Sequence, residues 1–257
     1  MTKRFDRRRA LAALAASLGA LPLAACDIFS NSARVRNVLE RAESLTMGAQ
    51  RLLSSRHALA QEFSEADISA HFRANGSTDP DDDAYQALAQ AEFKEWRLQV
   101  DGLVERPLQL SLEELRALPA RTQITRHDCV EGWSCIGKWT GVPLGTILQR
   151  AGLKPGAKYI VFYCADSPGG WLEPDKYYES IDLIDAFHPQ TILAYDMNGA
   201  PLGLAYGAPL RVRIERQLGY KMAKYIMRIE AVETFAQIGA GRGSYWADRN
   251  YEWYAGI

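Results

Sequence analysis

The chain has 257 residues, of which 47% are hydrophobic and 10% aromatic, so it holds enough apolar material for one sizeable core, or for one domain with appendages. Its 30 lysine and arginine residues nearly balance 31 aspartate and glutamate residues, so the overall charge gives no reason to expect a nucleic-acid partner. Four widely spread cysteines exclude a disulfide-built scaffold, and no two of them have the C-x-x-C spacing of a zinc ribbon or a thioredoxin-like motif.

Residues 1–26 have the organisation of an export signal. Three arginines at positions 7–9 precede an apolar run that is mostly alanine and is interrupted by Gly19 and Pro22. A basic region before a short, weakly hydrophobic segment is typical of a signal peptide, and it disfavours a permanent transmembrane span. The paired arginines resemble a twin-arginine signal, and the basic region of an ordinary secretory signal is the alternative. Because the twin-arginine route is used by proteins that fold, often with a cofactor, before they cross the membrane, the signal directs attention to cofactor sites.

A segment that resembles a bacterial lipobox ends this signal. In Leu-Ala-Ala-Cys26 the cysteine would be acylated and become the first residue of the mature protein, whereas the alternative is an unmodified residue at a cleavage site. Each buried methylene of an acyl chain contributes about 0.8 kcal/mol to membrane binding, so two or three chains anchor a protein stably. Asp27 resembles the residue that retains such lipoproteins in the inner membrane. We therefore expect a periplasmic protein, lipid-anchored to the inner membrane through Cys26.

The mature chain divides into an arm and a domain. From residue 31 to about 61, leucines and alanines recur at helical spacing among charged residues with no proline, so residues 27–67 are predicted to form a helical arm or linker. A breaker-rich acidic loop follows at residues 75–83. The remaining sequence, residues 68–257, is predicted to form one domain.

The domain pattern predicts strands with few helices. Trp96–Gly102 alternates apolar and polar residues and stops at Asp-Gly, which indicates a strand that ends in a turn. Ser111–Glu114 has the pattern of a capping box and predicts a short helix that closes before Pro119. Further strands are predicted at Tyr159–Tyr163, Thr191–Tyr195, Leu210–Ile214 and Tyr225–Ile229. Unevenly spaced strands joined by long loops favour an α+β fold with a mixed β-sheet over a doubly wound one.

The segment around Cys129 is the most informative part of the sequence. A strand-like run that ends in Arg126 and His127 precedes the cysteine, and Gly132 and Trp133 follow it. Neighbouring cations lower the pKa of a thiol, so chemistry alone allows a thiolate that acts as a nucleophile or as a ligand of a soft metal. A buried structural cysteine is the alternative, and spacing by itself favours it.

Ordered motifs decide between these alternatives. Cys129-Val-Glu-Gly-Trp133, followed by Trp139-Thr-Gly-Val-Pro-Leu144, resembles the molybdenum-binding segment of the sulfite-oxidase superfamily, in which the cysteine thiolate ligates a mononuclear molybdenum carried by molybdopterin. Further stretches resemble segments of that superfamily in the right order, at residues 71–76, 196–202, 206–211, 219–224 and 243–246. The resemblance spans about residues 68 to 250 and implies a mononuclear molybdenum oxidoreductase with the sulfite-oxidase type of molybdopterin-binding domain.

The resemblance also implies which residues hold the molybdenum–molybdopterin cofactor. It makes Cys129 the metal ligand and the catalytic residue. Molybdopterin carries a phosphate and a flat pterin with donors and acceptors on its edge, so the protein must supply fixed cations and planar hydrogen-bonding groups. Taken singly, each basic residue is better explained as a solvated surface charge, and only the ordered set of motifs reverses that. The ordered motifs imply the following cofactor-binding residues: His71, Phe72, Arg73, Asn75, Arg126, Asp166, Arg211, Gly219, Tyr220, Lys221 and Lys224.

The same motifs bear on the reaction. Animal and plant sulfite oxidases are described by Cys-x-Gly-Asn-Arg-Arg, whose arginines would attract the sulfite dianion, whereas this chain has Glu131 and no arginine at the equivalent positions. Cys-Val-Glu-x-Trp is instead similar to the periplasmic methionine-sulfoxide reductases of the superfamily, which take electrons from a membrane haem protein. We therefore expect oxygen-atom transfer from a small sulfoxide-like substrate, with a haem- or quinone-linked redox partner in the membrane. The sequence has no C-x-x-C-H motif for a haem of its own.

Three alternatives stay open at this point. One is an oxidase of sulfite or another small anion, with Arg73, Arg126 or Arg211 lining the pocket. Another, from a different class, is a non-catalytic lipoprotein that retains the fold. The third concerns Cys135 and Cys164, which are either unpaired buried residues or a disulfide formed in an oxidising compartment.

Overall fold

A computed structural model of the chain describes residues 33–169 and 175–257, with side chains from residue 41 onward. The predicted signal peptide and its lipobox cysteine, Cys26, lie outside the described residues. The chain divides into two compact units, residues 1–53 and residues 54–257. No helix among the described residues is both long and apolar enough to cross a membrane.

The first unit contains helix α1 (Ala33–Leu53), which has 21 residues. The helical spacing in the sequence predicted a helix that continues to about residue 61, and this extent is wrong. After Leu53 the backbone turns, and the amide of Ala60 donates to Oε1 of Gln190 (2.7 Å) while that of Phe63 donates to the carbonyl of Ile124 (2.9 Å). The donors that a longer helix would use internally are thus taken by the second unit, to which residues 54–67 belong.

The second unit is built from strands with short helices between them. The strands are β1 (Arg97–Gly102), β2 (Leu108–Ser111), β3 (Arg121–Asp128), β4 (Ser134–Pro143), β5 (Tyr159–Cys164), β6 (Tyr178–Asp182), β7 (Ile192–Met197), β8 (Ala200–Pro201), β9 (Arg211–Arg213) and β10 (Ile226–Val232). The helices are α2 (Asp83–Gln90), α3 (Leu112–Arg116), α4 (Leu144–Ala151) and α5 (Leu183–Ala186). The predicted capping box is confirmed, since Ser111 Oγ accepts from the Glu114 amide at 3.1 Å and the Ser111 amide donates to the Glu114 carboxylate at 2.8 Å.

These strands form two five-stranded sheets. One has the order β2-β1-β10-β5-β6, in which β1 and β10 run parallel and the other neighbours are antiparallel. The other has the order β3-β4-β7-β8, with β9 paired to β7, and it is antiparallel throughout. Mixed sheets with few helices confirm the predicted α+β class. The five strands predicted from the sequence coincide with β1, β5, β7, β9 and β10 within a few residues.

The core is largely apolar, and β3 presents a polar face to it. Alternation on β1 buries Leu98 and Val100, as expected for a strand with one face inward. On β3, however, the buried positions are Gln123, Thr125 and His127, all at most 1% exposed. Buried polar groups cost free energy unless they are hydrogen-bonded, so a polar inward face next to a cysteine indicates that this strand serves a site.

His188 shows how such buried polar groups constrain the pH range of the fold. Its Nε2 contacts the Ala58 carbonyl at 3.0 Å and its Nδ1 accepts from the Gln190 amide at 3.2 Å, so the ring is held as the neutral Nε2–H tautomer. Burial lowers the pKa of His188 below its ordinary value of 6.5. The unfolded chain therefore takes up a proton at a pH where the folded chain does not.

We predict that the folded state is stabilised relative to the unfolded state by the neutral His188 ring above pH 6.5, and that this stabilisation is lost as the pH falls below 6.5. Chemical denaturation of the wild type and of His188→Asn, which keeps an acceptor near the Gln190 amide but cannot titrate, measures the effect. Between about pH 7.5 and about pH 5.5 the free energy of unfolding of the wild type should fall by up to about 1.4 kcal/mol more than that of the variant. Equal losses in both proteins would contradict the assignment.

Candidate functional site

Cys129 lies in the tight connection between β3 and β4. The backbone closes on itself there, because the Cys129 amide donates to the Trp133 carbonyl (2.9 Å) and the Gly132 amide donates to the Cys129 carbonyl (3.0 Å). Gly132 has φ of 84°, a left-handed conformation that a glycine adopts without strain. The hairpin therefore fixes the cysteine at the end of a strand instead of on a mobile loop.

The thiol opens into a cavity of about 160 Å³. Several chain segments meet there: the loop at residues 75–77, the Cys129 turn, the segment after β5, the turn at residues 219–224 and the C-terminal segment. The cavity brings together six of the predicted site residues, Asn75, Cys129, Asp166, Gly219, Tyr220 and Lys224. Its other lining residues are Gly76, Ser77, Val130, Glu131, Pro168, Tyr177, Met222, Ala223, Trp246 and Tyr251.

The protein by itself does not activate the thiol. Burial raises the pKa of Cys129 above its ordinary value, and the carboxylate of Glu131 raises it further. The sequence suggested that Arg126 and His127 could lower this pKa, and the structure corrects that expectation. Arg126 is exposed and paired with Asp128 at 2.9 Å, and His127 points to the opposite face of the strand and is neutral. A metal ion bound at Cys129 would supply a positive charge that favours the thiolate.

Lys224 ties two loops together at the cavity wall. Its Nζ donates to the carbonyls of Asn75 (2.6 Å), Ser77 and Ala205 (3.1 Å), which accounts for all three of its protons. Burial lowers the pKa of Lys224 to about 7, and the nearby Arg211 contributes in the same direction. The lysine therefore shapes the Asn75 loop, and its ammonium is already surrounded by acceptors.

Arg211 is the group that most clearly lacks a partner. It is 1% exposed and lies over the ring of Trp139, with the guanidinium carbon 4.9 Å from the centroid. Its Nη1 donates to the Tyr206 carbonyl at 3.0 Å, whereas Nε and Nη2 have no hydrogen-bond partner among the described residues. Burial and the neighbouring Arg213 lower the pKa of Arg211 to about 9. Buried cationic donors without acceptors indicate that an anion belongs beside them.

His127 is a second buried donor, and sequence reasoning missed it. Its Nδ1 lies 2.9 Å from Nη1 of Arg213, and because arginine can only donate, the ring carries its proton on Nε2. Arg213 is itself fixed by a bidentate pair with Glu215, both side chains being fully buried. Nε2 of His127 has no partner among the described residues and abuts Gly219, where a Cβ atom would lie 2.3 Å from it. The alternation of buried and exposed positions along β3, which buries Gln123, Thr125 and His127 together, is the sequence signal that could have identified His127.

Asp166 supplies an acceptor. The side chain is 4% exposed, and its Oδ1 has no partner among the described residues. Burial raises the pKa of Asp166, while hydrogen bonding from Ser77 and the charge of Lys224 act against that shift. Together, Arg211 and His127 as donors, Asp166 as acceptor and Cys129 as soft ligand match what a molybdenum–molybdopterin group requires: an anion site, a planar hydrogen-bonding edge and a metal ligand.

Six predicted cofactor residues lie outside the cavity lining: Arg211 and five others. Lys221 is buried, with its Nζ paired to Glu179 and bonded to the Ser180 carbonyl (2.9 Å), so its charge is already neutralised inside the fold. Arg73 lies 3.6 Å from Glu131 and over the ring of Trp133, near the cavity entrance. For the five others, contact with the cofactor stays a prediction that their positions do not support. The five are His71, Phe72, Arg73, Arg126 and Lys221.

Phe72 has a structural role instead. It is 4% exposed and packs edge-on against Trp139, with ring centroids 5.3 Å apart. His71 contributes its backbone carbonyl to the thiol of Cys135 at 3.8 Å. Cys135 and Cys164 are free thiols in the described structure, as is Cys129, so the disulfide left open by the sequence does not form here.

Comparisons with known proteins agree with this geometry. A family model described as an oxidoreductase molybdopterin binding domain matches residues 85–237. The chain is 35% identical over 249 residues to the putative protein-methionine-sulfoxide reductase subunit YedZ1 of Azospira oryzae, covering 97% of this chain and 87% of that protein. It is 36% identical over 162 residues to the protein-methionine-sulfoxide reductase catalytic subunit MsrP of Xanthomonas campestris pv. campestris, covering 59% of this chain and 49% of that protein. This chain thus spans about half the length of MsrP.

A solved structure shows the same fold. The crystal structure of the sulfane dehydrogenase SoxCD from Paracoccus pantotrophus matches with a TM-score of 0.50 and 22% sequence identity, covering 70% of this chain and 46% of that chain. At this identity the likeness concerns the fold alone.

The unpartnered nitrogens of Arg211 generate a prediction about cofactor retention. We expect Arg211→Met to weaken molybdopterin binding at least about tenfold, because charge-assisted hydrogen bonds contribute ~1.5–3 kcal/mol each. The chain should still fold, since replacing a buried, incompletely paired cation by an apolar side chain is often neutral. Molybdenum and pterin content per chain after purification measures retention. The matched control is Arg116→Met, which also removes a cation that lies over an aromatic ring, here Tyr195, but that belongs to a partly exposed pair with Asp196. Equal cofactor content in the two variants would contradict the role of Arg211.

Proposed function

The chain belongs to the molybdopterin-binding oxidoreductases of the sulfite-oxidase superfamily, and from that premise we propose that it reduces a sulfoxide, with methionine sulfoxide as the substrate class. The family is enzymatic, and a molybdopterin-binding domain implies a molybdenum–pterin cofactor. Two relatives that it resembles bear the name of protein-methionine-sulfoxide reductases. The direction of the reaction and the substrate are the parts of the proposal that need support from the cavity itself.

The observation that carries the proposal is the charge of the cavity around Cys129. Among the described residues that line it, the only cation is Lys224, whose three protons are bound by carbonyls. Glu131 lies in the wall next to the cysteine, and Arg73 at the entrance is paired with that carboxylate. A dianion such as sulfite would meet a carboxylate and no available cation, which disfavours its binding. A neutral sulfoxide avoids that repulsion.

Different residues of this chain would hold different parts of the molybdenum–molybdopterin cofactor. Cys129 would hold the metal, Arg211 and His127 would donate to the anionic part of the cofactor, and Asp166 would accept from the donors on the pterin edge. The bound cofactor supplies two-electron oxygen-atom transfer. The balance is one sulfoxide, two electrons and two protons giving one thioether and one water, with cleavage of the sulfur–oxygen bond.

The sequence has no Cys-x-x-Cys-His motif for a covalently attached haem of its own. We infer a membrane-bound, haem- or quinone-linked donor. An acyl anchor on Cys26 would hold the enzyme beside such a donor and raise their effective concentration without any new contact. Periplasmic location, twin-arginine export and lipidation complete the proposal, and their support is the arrangement of residues 1–26.

Steady-state assays of molybdenum-loaded protein test the reaction. We expect reduction of methionine sulfoxide by a chemically reduced dye, and little or no oxidation of sulfite with an artificial acceptor. Cys129→Ser should lower kcat by about 100-fold or more, because the soft ligand that positions the metal is lost. Cys135→Ser is the matched control, being a free cysteine outside the cavity lining, and should retain activity. Efficient sulfite oxidation, or full turnover by Cys129→Ser, would refute the proposal.

Fractionation tests the anchor independently of catalysis. The full chain expressed in a bacterial host should be found in the membrane fraction and be released by detergent but not by salt, since acyl chains bind through the hydrophobic effect. Cys26→Ser should move to the soluble periplasmic fraction with its molybdenum content unchanged. Identical distribution of the two proteins would rule out lipidation at Cys26.

A further inference from the structure

The C-terminal segment contributes a wall of the cavity that the family match does not include. The match to the molybdopterin-binding domain ends at residue 237. Trp246 and Tyr251 lie beyond it, and both line the cavity that contains Cys129. An aromatic wall supplied from outside the matched domain is well placed to vary substrate preference while the cofactor-binding part stays the same.

These two rings are held in fixed positions. Their centroids are 5.1 Å apart, and the Tyr251 amide donates to the Trp246 carbonyl at 2.9 Å. Tyr245 packs edge-on against Trp246 at 5.2 Å, and Tyr220 packs edge-on against Tyr251 at 5.4 Å. The Tyr220 hydroxyl also donates to the Glu252 carbonyl at 2.7 Å. The wall therefore exists before any substrate arrives, and its rings lose little freedom on binding.

The segment that carries the rings is anchored to the rest of the unit. The Asp248 carboxylate accepts from the Tyr178 hydroxyl (2.6 Å) and from the amides of Ala240 (2.9 Å) and Arg242 (3.2 Å). Further along, the Leu218 amide donates to the Ala255 carbonyl at 2.9 Å. Contacts within residues 246–251 and after them thus fix the wall against the turn that contains Gly219.

The cavity entrance is apolar as well. Val130, the residue after Cys129, is 48% exposed, and Tyr251 is 40% exposed. Exposed large apolar side chains on the rim of a cavity favour a ligand that brings apolar surface of its own. The methylenes of a methionine side chain pack against aromatic rings in the sulfoxide, and the thioether sulfur that the reaction forms does so as well.

We propose that Trp246 and Tyr251 are specificity-determining residues, which bind the aliphatic stem of a methionine sulfoxide and the peptide next to it. This inference rests on the proposed sulfoxide reduction. Trp246 contacts the side chain inside the cavity, and Tyr251, at the rim, contacts the polypeptide that carries it. A small dialkyl sulfoxide such as dimethyl sulfoxide has neither stem nor peptide, so it gains little from the wall.

Ratios of kcat/KM for two substrates test this on the molybdenum-loaded enzyme. The substrates are a short peptide that contains methionine sulfoxide and dimethyl sulfoxide. Trp246→Ala and Tyr251→Ala should each lower the ratio of kcat/KM for the peptide to kcat/KM for dimethyl sulfoxide at least about fivefold, chiefly through a higher KM for the peptide, with molybdenum content unchanged. Trp246→Phe, which keeps an aromatic face, should restore most of the preference.

Trp253→Phe is the matched control. Its ring packs against Phe235 and Tyr159, outside the cavity lining, and the substitution should leave the ratio unchanged. Tyr251→Ala, at a partly exposed site, keeps the test decisive if Trp246→Ala does not fold. An unchanged ratio in both alanine variants, or an equal loss for both substrates, overturns the inference while leaving sulfoxide reduction intact. A wild-type enzyme that reduces neither sulfoxide refutes the proposed function itself.

Discussion

The rest of the site depends on the burial of two arginines on one strand, β9. Arg211 and Arg213 both lie over the ring of Trp139, at 4.9 and 4.4 Å, and both are at most 1% exposed. A buried cation is tolerated when acceptors surround it, and Arg213 has them in Glu215. Arg211 has one carbonyl and two unpartnered nitrogens among the described residues. The fold thus holds a charge in place for a ligand, and cofactor binding and folding become linked.

A division between two kinds of surface follows from this arrangement. The buried cations lie on β9 and around it, where a phosphate-bearing cofactor would be retained. The cavity next to Cys129 has instead a carboxylate, a lysine that is already bound by carbonyls, and aromatic walls. Cations placed this way attract the cofactor without attracting a small dianion to the reacting centre. The cavity wall also includes residues outside the matched domain, so the family match does not by itself specify the substrate.

The structure changed several expectations about individual side chains. Neighbours in sequence can lie on opposite faces of a strand, and a buried side chain can pair with a residue from a distant segment. Arg126 and Cys129 are close in sequence, yet Arg126 lies on the exposed face of β3 and pairs with Asp128. The thiol accordingly has a raised pKa, where neighbouring cations had suggested a lowered one. Lys221 follows the predicted motif, but its ammonium pairs with Glu179, 42 residues earlier in the chain. Lys224, in the same motif, does reach the cavity.

The sequence alone identified the family, the α+β class, the capping box at Ser111 and the motif that contains Cys129, because short-range periodicity and ordered motifs carry that information. It could not decide which of several buried polar side chains would be satisfied within the protein. That depends on contacts such as His127 with Arg213, 86 residues apart, and on the approach of His127 to Gly219. Only the tertiary structure brings these segments together, so only it shows which donors, Arg211 and His127 among them, are left for a ligand.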